Sequence, residues 1–315
     1  MTGFATFVNI DPDGDLIVEL IHNDGHLIGL RVSSKALSLV SPVFRAMFQS
    51  GFMESILYRQ TGATDTLIIP FLDDDAEAFE LFSRAAHSSK DLPETIPSHV
   101  LVQFAILCDK YDSVQQLSPY ARYWCENAKV LPESVNLYLL VAYVMDLPSV
   151  FFALSNFVLK HHVGPYIELP GFSDHDLVRR NVMAAFESRR NLLKDNLREC
   201  IEVMLASQMS ACSPAKDSAM VYMEFLEQEN SWPIFAALLE ESFDEIFQFA
   251  ITPGSAIFFC DDSACVVCQD MKFSYRKAVL KNWIALEPHQ FGVCLDCVKT
   301  HGESKEKNTC RETHS

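Results

Sequence analysis

Cys265-Val266-Val267-Cys268 and Cys294-Leu295-Asp296-Cys297 are two Cys-x-x-Cys pairs, and Cys310-Arg311-Glu312-Thr313-His314 adds a Cys-x-x-x-His pair. Ligands at this spacing can reach one tetrahedral zinc, with Zn–S bonds of about 2.3 Å. A closed structural site needs four ligands, so these six residues predict one structural zinc rather than two. Cys294 and Cys297 are its expected nucleus, completed either by Cys265 and Cys268 or by Cys310 and His314. A second ion would have to recruit Cys260, His289 or His301. Redox use of either Cys-x-x-Cys pair needs a βαβ setting, which the flanking residues do not suggest.

The remaining chemistry-bearing residues point to structure. Cys108, Cys125, Cys200 and Cys212 are isolated and read as small buried hydrophobes. Asp73, Asp74 and Asp75 lack the ligand spacing of a calcium loop and suit the start of a helix. His161-His162 closes an apolar helical stretch, where cations complement the helix dipole. Arg179-Arg180 and Arg189-Arg190 read as solvated helix faces. No Gly-rich phosphate loop, Gly-x-Ser-x-Gly elbow or His-Glu-x-x-His helix occurs, so no catalytic residue is assigned and a non-enzymatic protein is expected.

Composition sets the partner class. The chain has 315 residues, 25 Lys and Arg against 42 Asp and Glu, and a formal charge of -17, which disfavours phosphate backbones and anionic membrane surfaces. Residues 1–125 carry 16 acidic against 8 basic side chains, whereas residues 260–315 carry 8 of each. Nucleic acid is not an expected partner. Met1 to Ile10 lacks the basic and apolar regions of a secretory signal, so an intracellular location is expected and free thiols or metal ligands are preferred to disulfides. Ser134–Met145 and Leu147–Leu159 are each too short for a bilayer span and read as buried helices.

These residues must be positioned by several units. Residues 1–12 read as an N-terminal extension. Asp15–His22 and Leu27–Val32 are β-favouring runs joined by Asn23-Asp24-Gly25-His26, a hairpin turn signal. Ser33 and Ser34 can cap a helix over Lys35–Leu39, and Pro42 opens the next one, with Val43, Met47 and Phe48 near one face. A strand is expected over Thr66–Leu72, then helices over Ala76–His87, Ser98–Asp109 and Val114–Asn127. The expected core includes Leu37, Phe44, Met47 and Phe79. Beyond Pro132 the pattern is irregularly helical, with breaks at Leu147-Pro148 and Gly164-Pro165. A linking helix is expected over Met271–Leu286. The predicted class is α+β, with a front domain at 13–127, a mostly helical domain at 128–252 and a Cys/His-rich tail at 253–315.

Val32-Ser33-Ser34-Lys35-Ala36-Leu37-Ser38-Leu39-Val40-Ser41-Pro42-Val43-Phe44-Arg45-Ala46-Met47-Phe48, continued by Gly51-Phe52-Met53-Glu54-Ser55, resembles the core of the BTB/POZ domain. In that family a strand leads into two short helices, the Leu and Phe pack the core, and a second signature closes the helical end. Asp109-Lys110-Tyr111-Asp112 matches that second signature, and Ile69 to Asp75 sits where the family places its next strand and helix. Many members carry His where this chain has Ser33. Ala142-Tyr143-Val144, Ser188-Arg189-Arg190-Asn191, Trp232-Pro233 and Cys294-Leu295-Asp296-Cys297 resemble a set of fungal BTB-domain proteins. The resemblance implies a protein-interaction adaptor that binds other proteins or itself. It also implies, as an alternative, a substrate adaptor of a cullin-type ubiquitin ligase, because Phe52, Met53 and Glu54 resemble the hydrophobic-x-acidic motif of cullin-binding members. A transcriptional regulator is the third reading, since some members join this domain to DNA-binding zinc fingers.

Overall fold

Leu16, Val18 and Leu20 alternate with more exposed neighbours and are fully buried, as are Leu30 and Val32 on the next strand. This period of two turns one face of a hairpin toward a core. In the computed structural model the hairpin is β2 (Leu16–Ile21) paired antiparallel with β3 (Leu27–Val32). Gly25, at a φ of 89°, makes the tight reversal between them. The structure describes residues 4–49, 66–164, 169–209, 220, 223–224, 227, 242–245, 292–300 and 310–311, without the side chains of 200, 201 and 203–209.

A further strand, β1 (Thr6–Asn9), lies within the stretch expected to be an extension, and pairs parallel with β3. Its four residues are mostly exposed, so they carry no alternation to announce them; distant pairing alone makes the strand. β4 (Leu67–Pro70) adds parallel to β2 at the opposite edge, giving the order β1-β3-β2-β4. Pro70, at the end of this edge strand, costs no central ladder bond.

From β3 the chain passes directly into α1 (Ser34–Val40), whose N-cap Ser33 accepts a bond from Ala36 N–H. α2 (Pro42–Gln49) follows after Ser41. The buried face of α2 is Phe44 and Phe48, four residues apart, whereas Val43 is exposed and Met47 half-buried. This corrects the expected face by one position, since only Phe44 and Phe48 share the side facing the core. α3 (Ala76–Ala86) is capped by Asp75, which accepts from Ala78 N–H at 2.9 Å. α4 (Ser98–Lys110), α5 (Val114–Asn127), a 3₁₀ turn (Pro132–Ser134) and α6 (Val135–Val144) complete this part.

The chain divides into two compact units, Met1–Val150 and Phe151–Ser315. The first extends past the boundary expected near residue 127 because α6 packs against α4 and α5 and is buried nearly all round. Burial pushes the Cys125 thiol up to about 12 and the Cys108 thiol also well above its ordinary range, as expected of packing residues. In the second unit Phe151, on α7 (Pro148–His161), meets Phe172 and Phe186, with ring centroids 6.2–6.4 Å apart.

Phe186 lies on α8 (Arg180–Met209), whose buried Val182, Leu193 and Leu197 repeat at helical spacing. Arg190 falls on that same stripe. It is buried and donates to the Gly164 carbonyl, which corrects its reading as part of a solvated face. No helix among the described residues is long and apolar enough to cross a membrane.

Candidate functional site

The cysteine cluster is built around a five-residue helix, α9 (Leu295–Lys299), too short to stand without tertiary support. Val293, Leu295 and Val298 are buried and anchor it. Val293 N–H donates to Ser155 Oγ at 2.8 Å, and that hydroxyl donates to the Phe152 carbonyl at 2.9 Å. At the other end, Asn181 Nδ2 donates to the Val298 carbonyl at 2.7 Å and Arg179 Nη1 to that of Lys299 at 3.2 Å. α7 and α8 thereby hold both ends of α9.

Cys294 is the N-cap of α9 and is buried, and Cys297 follows within the first turn. Cys310, distant in sequence, joins them: Arg311 N–H donates to Asp296 Oδ2 at 2.7 Å, and its Nε reaches Asp296 Oδ1 at 3.0 Å. The three sulfurs all lie within 4.8 Å of one another, and Cys297 Sγ is 3.6 Å from Cys310 Sγ. That separation is far beyond a disulfide bond. It is close to the edge of a tetrahedron with metal–sulfur bonds of about 2.3 Å, which is roughly 3.8 Å.

Burial pushes the Cys294 thiol up to about 12, and the adjoining Cys297 and Cys310 sulfurs resist its ionisation further. A cation among the three would reverse this, because a coordinating thiol is deprotonated by the metal charge. These three cysteines could hold a metal ion. No protein-family model and no curated protein matches the chain.

Of the six expected ligands, Cys294, Cys297 and Cys310 are therefore brought together. Cys265, Cys268 and His314 lie outside the described residues, as do the interaction residues Phe52, Met53 and Glu54 and the linking helix at 271–286. Sequence reasoning missed the clamp between Asp296 and Arg311. Its only sequence signal is that each residue adjoins a candidate cysteine.

The first unit holds another arrangement that side-chain spacing alone does not reveal. Asp74, expected merely to help start α3, is buried, and its Oδ1 accepts from Lys110 Nζ at 2.6 Å and its Oδ2 from Tyr111 Oη at 2.5 Å. Burial, together with the Asp74 carboxylate, raises the Tyr111 phenol above its ordinary value and keeps it a donor. The Tyr111 ring stacks on Phe44 at 4.4 Å, and its carbonyl accepts from Ser41 Oγ at 2.6 Å. His22, Asp24 and His26 also converge at the tip of the hairpin, where the sequence announces only a turn.

Proposed function

We propose that this chain is a non-enzymatic protein-interaction adaptor with a BTB/POZ-type front domain and a tail held by one structural zinc. The observation that carries the reading is the meeting of Phe44 with Tyr111. These residues come from the two sequence signatures that resemble the family, 32–55 and 109–112, and stack at 4.4 Å. The order of elements agrees: β3 runs straight into α1 and α2, and Leu37 and Phe44 are fully buried. β4 and α3 then follow, and Lys110 and Tyr111 fasten the end of α4 to Asp74.

The zinc assignment rests on the donor set, because three thiol sulfurs at tetrahedral spacing suit a soft-ligand structural site. His314, four residues after Cys310, is the proposed fourth ligand on sequence spacing alone. Free thiols and metal ligands of this kind suit an intracellular protein. Its partners are other proteins, or a second copy of itself.

A cullin scaffold is the first partner to test, since Phe52-Met53-Glu54 resembles the motif by which some family members dock one. The purified chain, mixed with a cullin N-terminal domain, is expected to form a stoichiometric complex that the double change Phe52→Ala, Glu54→Lys abolishes without unfolding the protein. Self-association, read by light scattering, is the second arm. A chain that binds no cullin at high micromolar concentration overturns the cullin reading and leaves the plain interaction adaptor, and one that also remains monomeric overturns self-association.

A further inference from the structure

The tip of the β2–β3 hairpin gathers three donor groups that the adaptor reading does not use. His22 and His26 flank the turn Asn23-Asp24-Gly25, and their backbones close it: His22 N–H donates to the His26 carbonyl at 2.9 Å, and Gly25 N–H to the His22 carbonyl at 2.8 Å. Pairing the two histidines across the turn places their rings side by side, with centroids 4.7 Å apart and planes inclined by 21°. The Asp24 side chain folds back into the same space, where its Oδ1 accepts His26 N–H at 3.2 Å. Both Nδ1 atoms then face that one carboxylate oxygen, His22 at 3.1 Å and His26 closer still.

We infer that this hairpin tip is a second, divalent transition-metal site, in which His22 Nδ1, His26 Nδ1 and an Asp24 carboxylate oxygen bind one face of an ion such as Zn²⁺ or Co²⁺. The Asp24 backbone N–H approaches His22 Nδ1 at 3.4 Å, a long contact that an ion taking that lone pair would displace. His22 Nδ1 and Asp24 Oδ1 lie 3.1 Å apart, a spacing that a proton on the imidazole or a bridging metal cation can each satisfy. The ligand atoms all lie within 4.8 Å of one another, and two imidazoles with one carboxylate are a donor set that favours imidazole-seeking divalent ions over calcium or magnesium.

The outer partners have the right polarity. A metal at Nδ1 leaves the ring proton on Nε2, and there His22 faces Glu77 Oε1 at 3.8 Å while His26 faces Thr6 Oγ1 at 3.5 Å. Such second partners fix the tautomer and orientation of a ligating histidine. The three donors leave positions open for water, and the half-exposed histidines and exposed Asp24 leave the ion a route in from solvent. Because Glu77 belongs to α3 and Thr6 to β1, a bound ion would tie the hairpin tip to both neighbours.

Co²⁺ added alone to the full chain, after its cysteine cluster has been filled with zinc, distinguishes this site by absorption. Cobalt on imidazole and carboxylate shows weak visible d–d bands without the intense near-ultraviolet charge transfer of cobalt on thiolate. The wild type is expected to take up one such cobalt per chain. The pair His22→Gln, His26→Gln is expected to lose it, a larger effect than the roughly 10–100-fold cost of removing an outer partner. Asp24→Asn, which retains a side-chain oxygen for the turn, should fold normally and bind at least about tenfold more weakly. Uptake with equal affinity by the double variant, or no visible bands in the wild type, overturns the proposal and leaves the tip a hydrogen-bonded turn.

Discussion

Phe44 is in ring contact with Phe48, Phe71, Phe79, Phe82 and Tyr111, and nothing of it is exposed. Its neighbours come from α2, the exit of β4, α3 and the end of α4, so one side chain couples four parts of the fold. Truncation would leave a void that rigid aromatic neighbours cannot close. Phe44→Ala is therefore expected to cost about 3–5 kcal/mol. Denaturant unfolding of the first unit checks this, and an unchanged midpoint would mean that the cluster is not its core. Ser41 acts through the backbone instead: its hydroxyl donates to the Tyr111 carbonyl and accepts Phe44 N–H at 3.0 Å, satisfying groups that burial would otherwise leave unpaired.

At the scale of elements, α9 depends on where it is docked. Gly292 passes against α7 so closely that an added Cβ would collide with the Phe152 carbonyl oxygen and ring. Neither a backbone oxygen nor the root of a ring can move aside easily. Gly292→Ala should thus push α9 away from Ser155 and lengthen its bond to Val293, at a cost of about 1–3 kcal/mol. The cluster would feel this through Cys294, two residues on. Competition with a chelator measures it: the variant should surrender metal faster than the wild type, and equal rates would show that the docking of α9 does not shape the cluster.

For the whole molecule, the cysteine cluster belongs to the second compact unit and the aromatic core to the first. Loss of metal should then be a local event. Protein purified without chelator should contain about one zinc per chain if a single four-ligand site is filled. Cys294→Ser with Cys297→Ser should release it and open the tail to protease, while the melting transition of the first unit stays nearly unchanged. A metal-free wild type with a protease-resistant tail would refute the zinc reading. The small size of α9 supports a metal crosslink, since three buried apolar side chains alone are a modest anchor.

Local signals determined much of this protein. Alternation in Leu16–Ile21, the Asp24-Gly25 turn, the Ser33 and Asp75 caps and Pro42 at a helix start each act within a few residues, so the hairpin and helices α1 to α7 were legible. Cys294 and Cys297 were legible as a pair for the same reason. Tertiary structure decided what depends on distant partners. β1 exists through its pairing with β3, Arg190 is buried because it falls on the apolar stripe of α8, and Val43 stays out of the core because Phe79, Phe82 and Tyr111 gather on the side of Phe44. It also decided that Cys310 joins Cys294 and Cys297, through a clamp between Asp296 and Arg311 that spans fifteen positions. The convergence of His22, Asp24 and His26 stands between the two cases: the turn and the stacking of the two rings arise within the hairpin, but the approach of Glu77 and Thr6 arises only when α3 and β1 are packed beside it.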